Sequence, residues 1–264
     1  SFLPHFKHLM PYYSSKEIIN LALNMGIKLD KDKYYDSKRI NELCTVVKEN
    51  DISSKILLKH QEYMIKENRV GLVQYYSLHG SYIINRYMRS SNNYKDEYLE
   101  DIVKSMWTLV NNAPAFNKEY IVYRFINDDN YLRHLNIGDV FYDNGFTSTT
   151  RDPFYKPDEF KFGFILVKIK LPKDKTGTGL CIETLSHFPK EQEIILPPKA
   201  MLRLDKKNDD FEYYNSDTDY AAKIKTKYEF TYIGNTTVHF DEKPKYEKGI
   251  GTIDFMDLKE IDLS

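Results

Sequence analysis

An α+β fold is the architecture this sequence predicts. Apolar residues recur at helical spacing as far as about Asn111, a two-residue alternation takes over from Glu119, and the two patterns are segregated along the chain. Ser14-Ser15-Lys16-Glu17 reads as a capping box. It opens a helix carrying Ile18, Ile19 and Ala22 that stops near Gly26. Ser37 can cap a second helix, in which Ile40, Leu43, Cys44 and Val47 keep the i, i+3, i+4, i+7 rule. Further helices are expected over Ser53 to Asn68 and over Val70 to Arg89, the latter with Tyr75, Tyr76, His79, Tyr82, Ile83 and Tyr87 along it. The last, Tyr94 to about Asn111, places Leu99, Val103, Met106 and Val110 on one stripe.

In the second half Tyr120 to Ile126 is a β-rich run. Ile165, Val167, Ile169 and Leu171 alternate with Lys168 and Lys170 as in a half-buried strand. Glu191 to Leu196, Ala200 to Leu204 and Thr226 to Ile233 are also expected as strands. The polar stretch Asp205 to Asp219 between the last two reads as a solvated loop.

Composition narrows the function classes. The 264 residues carry 38 Lys+Arg against 39 Asp+Glu, a net charge of −1, which disfavours nucleic acid as a partner because phosphate binding draws on a basic surface. Two distant cysteines, Cys44 and Cys181, make neither a disulfide framework nor a cysteine-based zinc site. No apolar run is long enough to span a bilayer. The opening Ser1-Phe2-Leu3-Pro4-His5 lacks the features of a signal peptide. His5, His8, His60 and His79 have no metal-site spacing.

Three pieces of the strand half can carry chemistry. Arg124 stands inside an apolar strand, where a guanidinium must find an anion or reach solvent from a strand edge. Gly145-Phe146-Thr147-Ser148-Thr149-Thr150 is a hydroxyl-rich stretch after the turn Asp143-Asn144-Gly145; it can orient a ligand or simply form a strand. Phe188-Pro189-Lys190-Glu191-Gln192-Glu193 leads into Ile194-Ile195-Leu196-Pro197-Pro198. Alternation sets Glu191 and Glu193 on one face at a strand mouth, where two carboxylates raise each other's pKa.

The ordered set of Arg124, Ser148 and Glu193 resembles the Arg–Ser–Glu class of mono-ADP-ribosyltransferases, which includes cholera-like toxins, clostridial binary toxin enzymes and vertebrate ecto-enzymes. Tyr123-Arg124, Gly145-Phe146-x-Ser148-Thr149 and Phe188-Pro189-x-Glu191-x-Glu193 each match a local pattern of that family. Ile84-Asn85 with Met88-Arg89 is similar to its helix carrying an Ile-Asn followed by a Leu-Arg pair. The resemblance covers about residues 60 to 240. It implies a split, mixed and antiparallel β-sandwich core with preceding and flanking helices, and an enzyme that transfers ADP-ribose from NAD to a protein acceptor without a metal.

The resemblance also implies roles. Arg124 would hold the NAD phosphates, Glu193 would stabilise the ribosyl cation, and Ser148 would orient that carboxylate. Glu191 would align and deprotonate an acceptor guanidinium; a glutamine there goes with asparagine acceptors in the clostridial Rho-modifying exoenzymes, so Glu191 implies arginine. Phe188 falls in the target-recognition loop, and Phe160 or Phe162 would stack on nicotinamide. Tyr123, Phe125, Thr149 and Thr150 complete the expected NAD contacts. Phe125 stands where the family often has glycine, and Thr150 replaces the last serine of a Ser-Thr-Ser pattern.

The expected division is residues 1–58 as a helical extension or small module, 59–240 as the catalytic domain, and 241–264 as a tail with a short strand. The two N-terminal helices with a lysine-bearing link resemble small helix–extended–helix modules such as SAP domains. A monomer acting inside its own or a host cell is expected. The rival readings are an NAD glycohydrolase and a catalytically dead binding module.

Overall fold

The computed structural model describes residues 15–24, 27–30, 33–36, 38–40, 42–43, 54–90, 95–126, 129–151, 165–208 and 226–235. The helices come first, as the pattern requires. They are α1 (Ser15–Asn24), α2 (Ser54–Lys66), α3 (Val70–Tyr75), α4 (Ser81–Arg89) and α5 (Glu97–Asn111); residues 38–40 and 42–43 are also helical. Asp96 caps α5 by accepting a 3.0 Å bond from Leu99 N. The expected helix over Val70 to Arg89 is one rod in which α3 and α4 are joined by a π-helical turn, Tyr76–Gly80. Such turns insert an extra residue and re-aim side chains, often at functional positions.

Among the described residues eight strands form one mixed sheet in the order β2-β7-β8-β4-β1-β3-β6-β5. They are β1 (Tyr120–Ile126), β2 (Val140–Phe141), β3 (Thr147–Thr150), β4 (Ile165–Leu171), β5 (Leu180–Cys181), β6 (Glu193–Leu196), β7 (Ala200–Lys207) and β8 (Thr226–Asn235). Among the described residues only β4 and β8 run parallel. The sheet is split in the middle: β1 and β3 share a single register pair, Tyr123↔Thr150, whereas β1 and β4 pair along their whole length. The two halves therefore diverge and enclose one core, to which β1, β4, β7 and β8 contribute Val122, Val167, Leu204 and Phe230, and the other half contributes Cys181, Ile194 and Leu196. A second core lies between the β3-β6-β5 half and the helices, with Tyr76, Met88, Trp107 and Val110 packed on Phe146, Ile182 and Ile195. Alternation along β6 thus sends Ile194 and Leu196 inward and Ile195 towards the helices. The N-terminal helices have a small core of their own, Ile18, Ala22 and Leu43.

Two expectations are corrected. The polar stretch from Asp205 begins as strand, because Lys206 and Lys207 continue the β8 ladder opposite Glu229 and Tyr228, and Asp205 accepts a bond from the Thr231 hydroxyl. The remainder of that stretch, and the tail at 241–264 with its expected strand, lie outside the described residues. The strand expected from Glu191 starts instead at Glu193, after a 3-10 turn, Pro189–Glu191. The hydroxyl-rich stretch does form a strand, β3, whereas β2 and β5 have two residues each, too few to show a period in the sequence. His60 is a core residue: its ring accepts a bond from Cys181 N at 3.1 Å, fastening α2 to β5, and burial lowers its pKa to about 4.

Gly177 connects β4 to β5 at φ 77, and a Cβ there would stand 2.2 Å from the Asn111 carbonyl oxygen at the end of α5. Gly177→Ala is expected to cost at least about 1–2 kcal/mol through the left-handed backbone alone, a fall of about 4 °C in Tm. A melting curve superimposable on that of the wild type would show that α5 yields freely at this contact.

Candidate active site

The site is assembled where the helical rod meets the turn before β3. Asp143 receives a two-pronged ion pair from Arg89, Nε to Oδ1 at 2.9 Å and Nη2 to Oδ2 at 2.7 Å, and its Oδ1 also accepts from Gly145 N at 2.8 Å. Arg89 donates further to the Phe146 carbonyl at 3.2 Å, while Asn85 accepts from Phe146 N at 2.8 Å. Both edges of this stretch of backbone are thus held by side chains of α4. A Cβ on Gly145 would lie 2.9 Å from both Arg89 Nε and Asn85 Oδ1, so the approach needs glycine. The ion pair is nearly dry, with the side chains 4% and 10% exposed. Breaking a buried pair by removing one partner typically costs about 3–5 kcal/mol.

Held at its start, β3 delivers Ser148 to the centre. Ser148 bonds the Glu193 carboxylate, and its own carbonyl accepts from Arg124 Nη1 at 3.0 Å. Arg124 is half-buried on β1, and β1 lies between β4 and β3, so this is no strand-edge arginine reaching out to solvent. Its charge acts favourably on Glu193. Arg124, Ser148 and Glu193 are therefore brought together from three neighbouring strands.

Glu193 is buried, opposite Thr150 in the β3–β6 register. Burial, and after it the nearby Glu191 charge, push its pKa up to about 7, against the pull of the Ser148 bond and of Arg124. A carboxyl poised there exchanges its proton near neutrality.

Glu191 reaches this neighbourhood by a different route from the one expected. It closes the 3-10 turn, and Gln192 follows in the left-handed conformation at φ 47, ψ 48. The two-residue period is broken between the glutamates, so their proximity comes from the turn and not from a shared strand face. The Glu191 carbonyl accepts from the Thr150 hydroxyl at 2.6 Å, and Gln192 O accepts from Arg151 N at 3.1 Å.

The remaining expected contacts divide. The Thr149 hydroxyl donates to Ile194 O at 2.7 Å, so it and Thr150 give their protons to backbone of the β6 segment. Tyr123 is buried. Phe188 is exposed at 45% on the loop before the 3-10 turn, and that loop is pinned to the π-helical turn by His187 N donating to Ser77 Oγ at 3.2 Å. Phe160, Phe162 and the side chain of Phe125 lie outside the described residues. Among the described residues no group of three or more His, Cys, Asp or Glu could hold a metal, and no helix is long and apolar enough to cross a membrane.

Sequence reasoning missed Tyr76. It is fully buried at the start of the π turn, its hydroxyl 3.4 Å from Ser148 Oγ and accepting from Asn85 Nδ2 at 3.2 Å, and its ring packs edge-on against Phe146. Burial and the Glu193 charge raise its pKa to about 12, so it stays a neutral phenol able to support Ser148. Among 22 tyrosines no spacing singled it out.

The structure thus sets a buried acid, a serine hydroxyl and an arginine together on a split sheet flanked by helices. The chain belongs to the ADP-ribosyltransferase exoenzyme family, whose model matches residues 54–228. The uncharacterized protein R217 of Acanthamoeba polyphaga mimivirus is 39% identical over 280 residues, a match spanning 99% of this chain and 38% of that protein. The chain thus spans well under half the length of that relative. Among solved structures, the enzymatic component C2-I of the C2 toxin from Clostridium botulinum is similar with a TM-score of 0.53 and 16% identity, over 72% of this chain and 49% of that one. Plx2a, an ADP-ribosyltransferase toxin from Paenibacillus larvae, gives a TM-score of 0.50 and 14% identity, over 66% and 89%. At such identities the likeness shows the fold, and it agrees with the expected α+β split sandwich.

Because the folded state raises the Glu193 pKa above its ordinary 4.5, the native protein loses stability as pH rises from that value through about 7. Glu193→Gln removes the charge that burial opposes. The variant should therefore melt above the wild type at pH 8 and together with it at pH 4. Equal Tm values at pH 8 would mean that Glu193 ionises without penalty.

Proposed function

We propose that the protein is a mono-ADP-ribosyltransferase that moves ADP-ribose from NAD to an arginine side chain of a protein acceptor and releases nicotinamide. The observation that carries this reading is the buried Glu193 carboxyl, bonded by Ser148 and facing the Arg124 guanidinium. In the proposed reaction the bond between nicotinamide and the ribose C1′ breaks, and its electron pair leaves with nicotinamide. The ribosyl carbon becomes cationic, a charge that an ionised carboxylate in a dry site stabilises more in the transition state than in the ground state. Arg124 serves as the diphosphate anchor, since its planar fork can engage an anion while one N–H remains bonded to Ser148 O.

Glu191, half-buried at the mouth, is assigned to the acceptor. A guanidinium nitrogen attacks C1′ and Glu191 takes the proton that it loses. Phe188, exposed beside it, offers an apolar contact for the acceptor protein. Membership of the exoenzyme family supports transfer to a protein. The enzyme is proposed to act inside a cell, its own or a host's.

Nicotinamide release from NAD, measured with and without free arginine and with a cell lysate, tests this. Glu193→Gln is expected to abolish release in all three settings, a loss of about 10²-fold or more, as for removal of a transition-state electrostatic contact. Glu191→Ala should keep acceptor-independent hydrolysis and lose transfer; equal loss of both would reassign that residue. Arg124→Ala should weaken NAD binding about tenfold or more, the scale of a charge-assisted hydrogen bond to phosphate. Intact affinity would place the phosphate anchor elsewhere, and no release by the wild-type protein at high concentration would overturn the enzyme reading.

A further inference from the structure

Behind the turn that carries the two carboxylates lies a second buried ion pair with no part in the reaction described above. Arg151 follows β3 directly and Glu183 lies two residues beyond β5; Arg151 Nη2 donates to Glu183 Oε2 at 2.6 Å, with both side chains 4% exposed. Strand β6 runs between β3 and β5, so the pair reaches across the entrance of β6. The backbones beside it grip the same entrance: Arg151 N donates to Gln192 O at 3.1 Å and Ile182 N to Glu193 O at 3.2 Å. Both charges act on Cys181, a member of the core between the sheet halves. Glu193, two residues before Ile195, shares the helix-facing side of β6 with it. The ion pair therefore lies on the opposite face of this half of the sheet from the Glu193 side chain.

Its position coincides with a strained backbone. Gln192 is a non-glycine residue at φ 47, and such a conformation persists only where its surroundings over-determine it. Glu193, next along, is secured by the ladder to Thr150 and by Ile182. Glu191 lies ahead of that ladder, in the 3-10 turn, where its carbonyl accepts from the Thr150 hydroxyl.

We propose that Arg151 and Glu183 are positioning residues: their ion pair clamps the left-handed turn at Gln192 and so sets where Glu191 stands relative to Glu193. The proposal rests on the assignment of Glu191 to the acceptor step. Its consequence is selective, because loosening the clamp frees Glu191 while Glu193 stays in its ladder.

The test is the double variant R151M/E183L, since replacing a buried ion pair by apolar side chains of similar size is often neutral or stabilising, whereas removing one partner strands a charge. R151M alone and R151K serve as comparisons, the first expected to lose stability and the second to keep the charge without the fork geometry. Folding is read from Tm, hydrolysis from nicotinamide release without acceptor, and transfer from ADP-ribose incorporated into free arginine or lysate protein. The double variant should fold, hydrolyse NAD within about twofold of wild type, and transfer about 10- to 100-fold less, the scale of a displacement near 1 Å in a reacting group. Parallel loss of both activities in a folded double variant, or full retention of transfer, overturns the proposal. A crystal structure of the double variant gives an answer independent of activity: Glu191 displaced with Glu193 still opposite Thr150 supports the clamp, and Glu191 unmoved refutes it. Absence of nicotinamide release by the wild type would refute the enzymatic reading and leave that structural comparison standing.

Discussion

The constraint on which the structure turns is the burial of one carboxyl group, Glu193. An acid taken out of water favours its neutral form, and the fold answers with a serine hydroxyl and an arginine on one side and a second glutamate on the other. None of these partners is local to Glu193. Ser148 and Arg124 arrive on separate strands, so the chemistry of the acid depends on the register of β1, β3 and β6. A one-residue slip of β3 would turn Ser148 away and present a neighbour whose hydroxyl is bonded to the backbone.

That register is set from outside the sheet. The turn ahead of β3 is gripped by Asn85 and Arg89 of α4, and the same rod supplies Tyr76 to support Ser148. The π-helical turn at Tyr76–Gly80 explains how one rod serves both ends: Tyr76 and Ser77 reach Ser148 and the Phe188 loop, while Asn85 and Arg89 reach the turn before β3. A regular helix over the same length would present these residues in a different rotational phase. The helix packing is therefore part of the site's geometry as well as of the core.

The split sheet is the second organising feature. A single register pair between β1 and β3 lets the halves open, which places Arg124 and Glu193 on two walls of one mouth while a common core still joins them. The turn at Gln192 then brings Glu191 to that mouth without extending β6. Alternation had predicted the right neighbours for the wrong reason: Glu191 and Glu193 do influence each other, but through a left-handed residue and not through a shared strand face.

By itself, the sequence determined the order of helices before strands and most of the long elements, because periodicity is written in neighbouring positions; Arg124, Ser148 and Glu193 stand out in it only through resemblance to a family pattern. The α2, α3–α4 and β1 segments lie close to where the hydrophobic period places them. Tertiary structure alone decided the rest. Strands of two residues carry no period, a π turn leaves no signature among many tyrosines, and a left-handed glutamine reads as ordinary strand. The contacts of Tyr76 with Ser148, Arg89 with Asp143 and Arg151 with Glu183 join residues 72, 54 and 32 positions apart. Nothing in either partner's local sequence specifies the other, since that choice is made only when the sheet closes and the helices dock upon it.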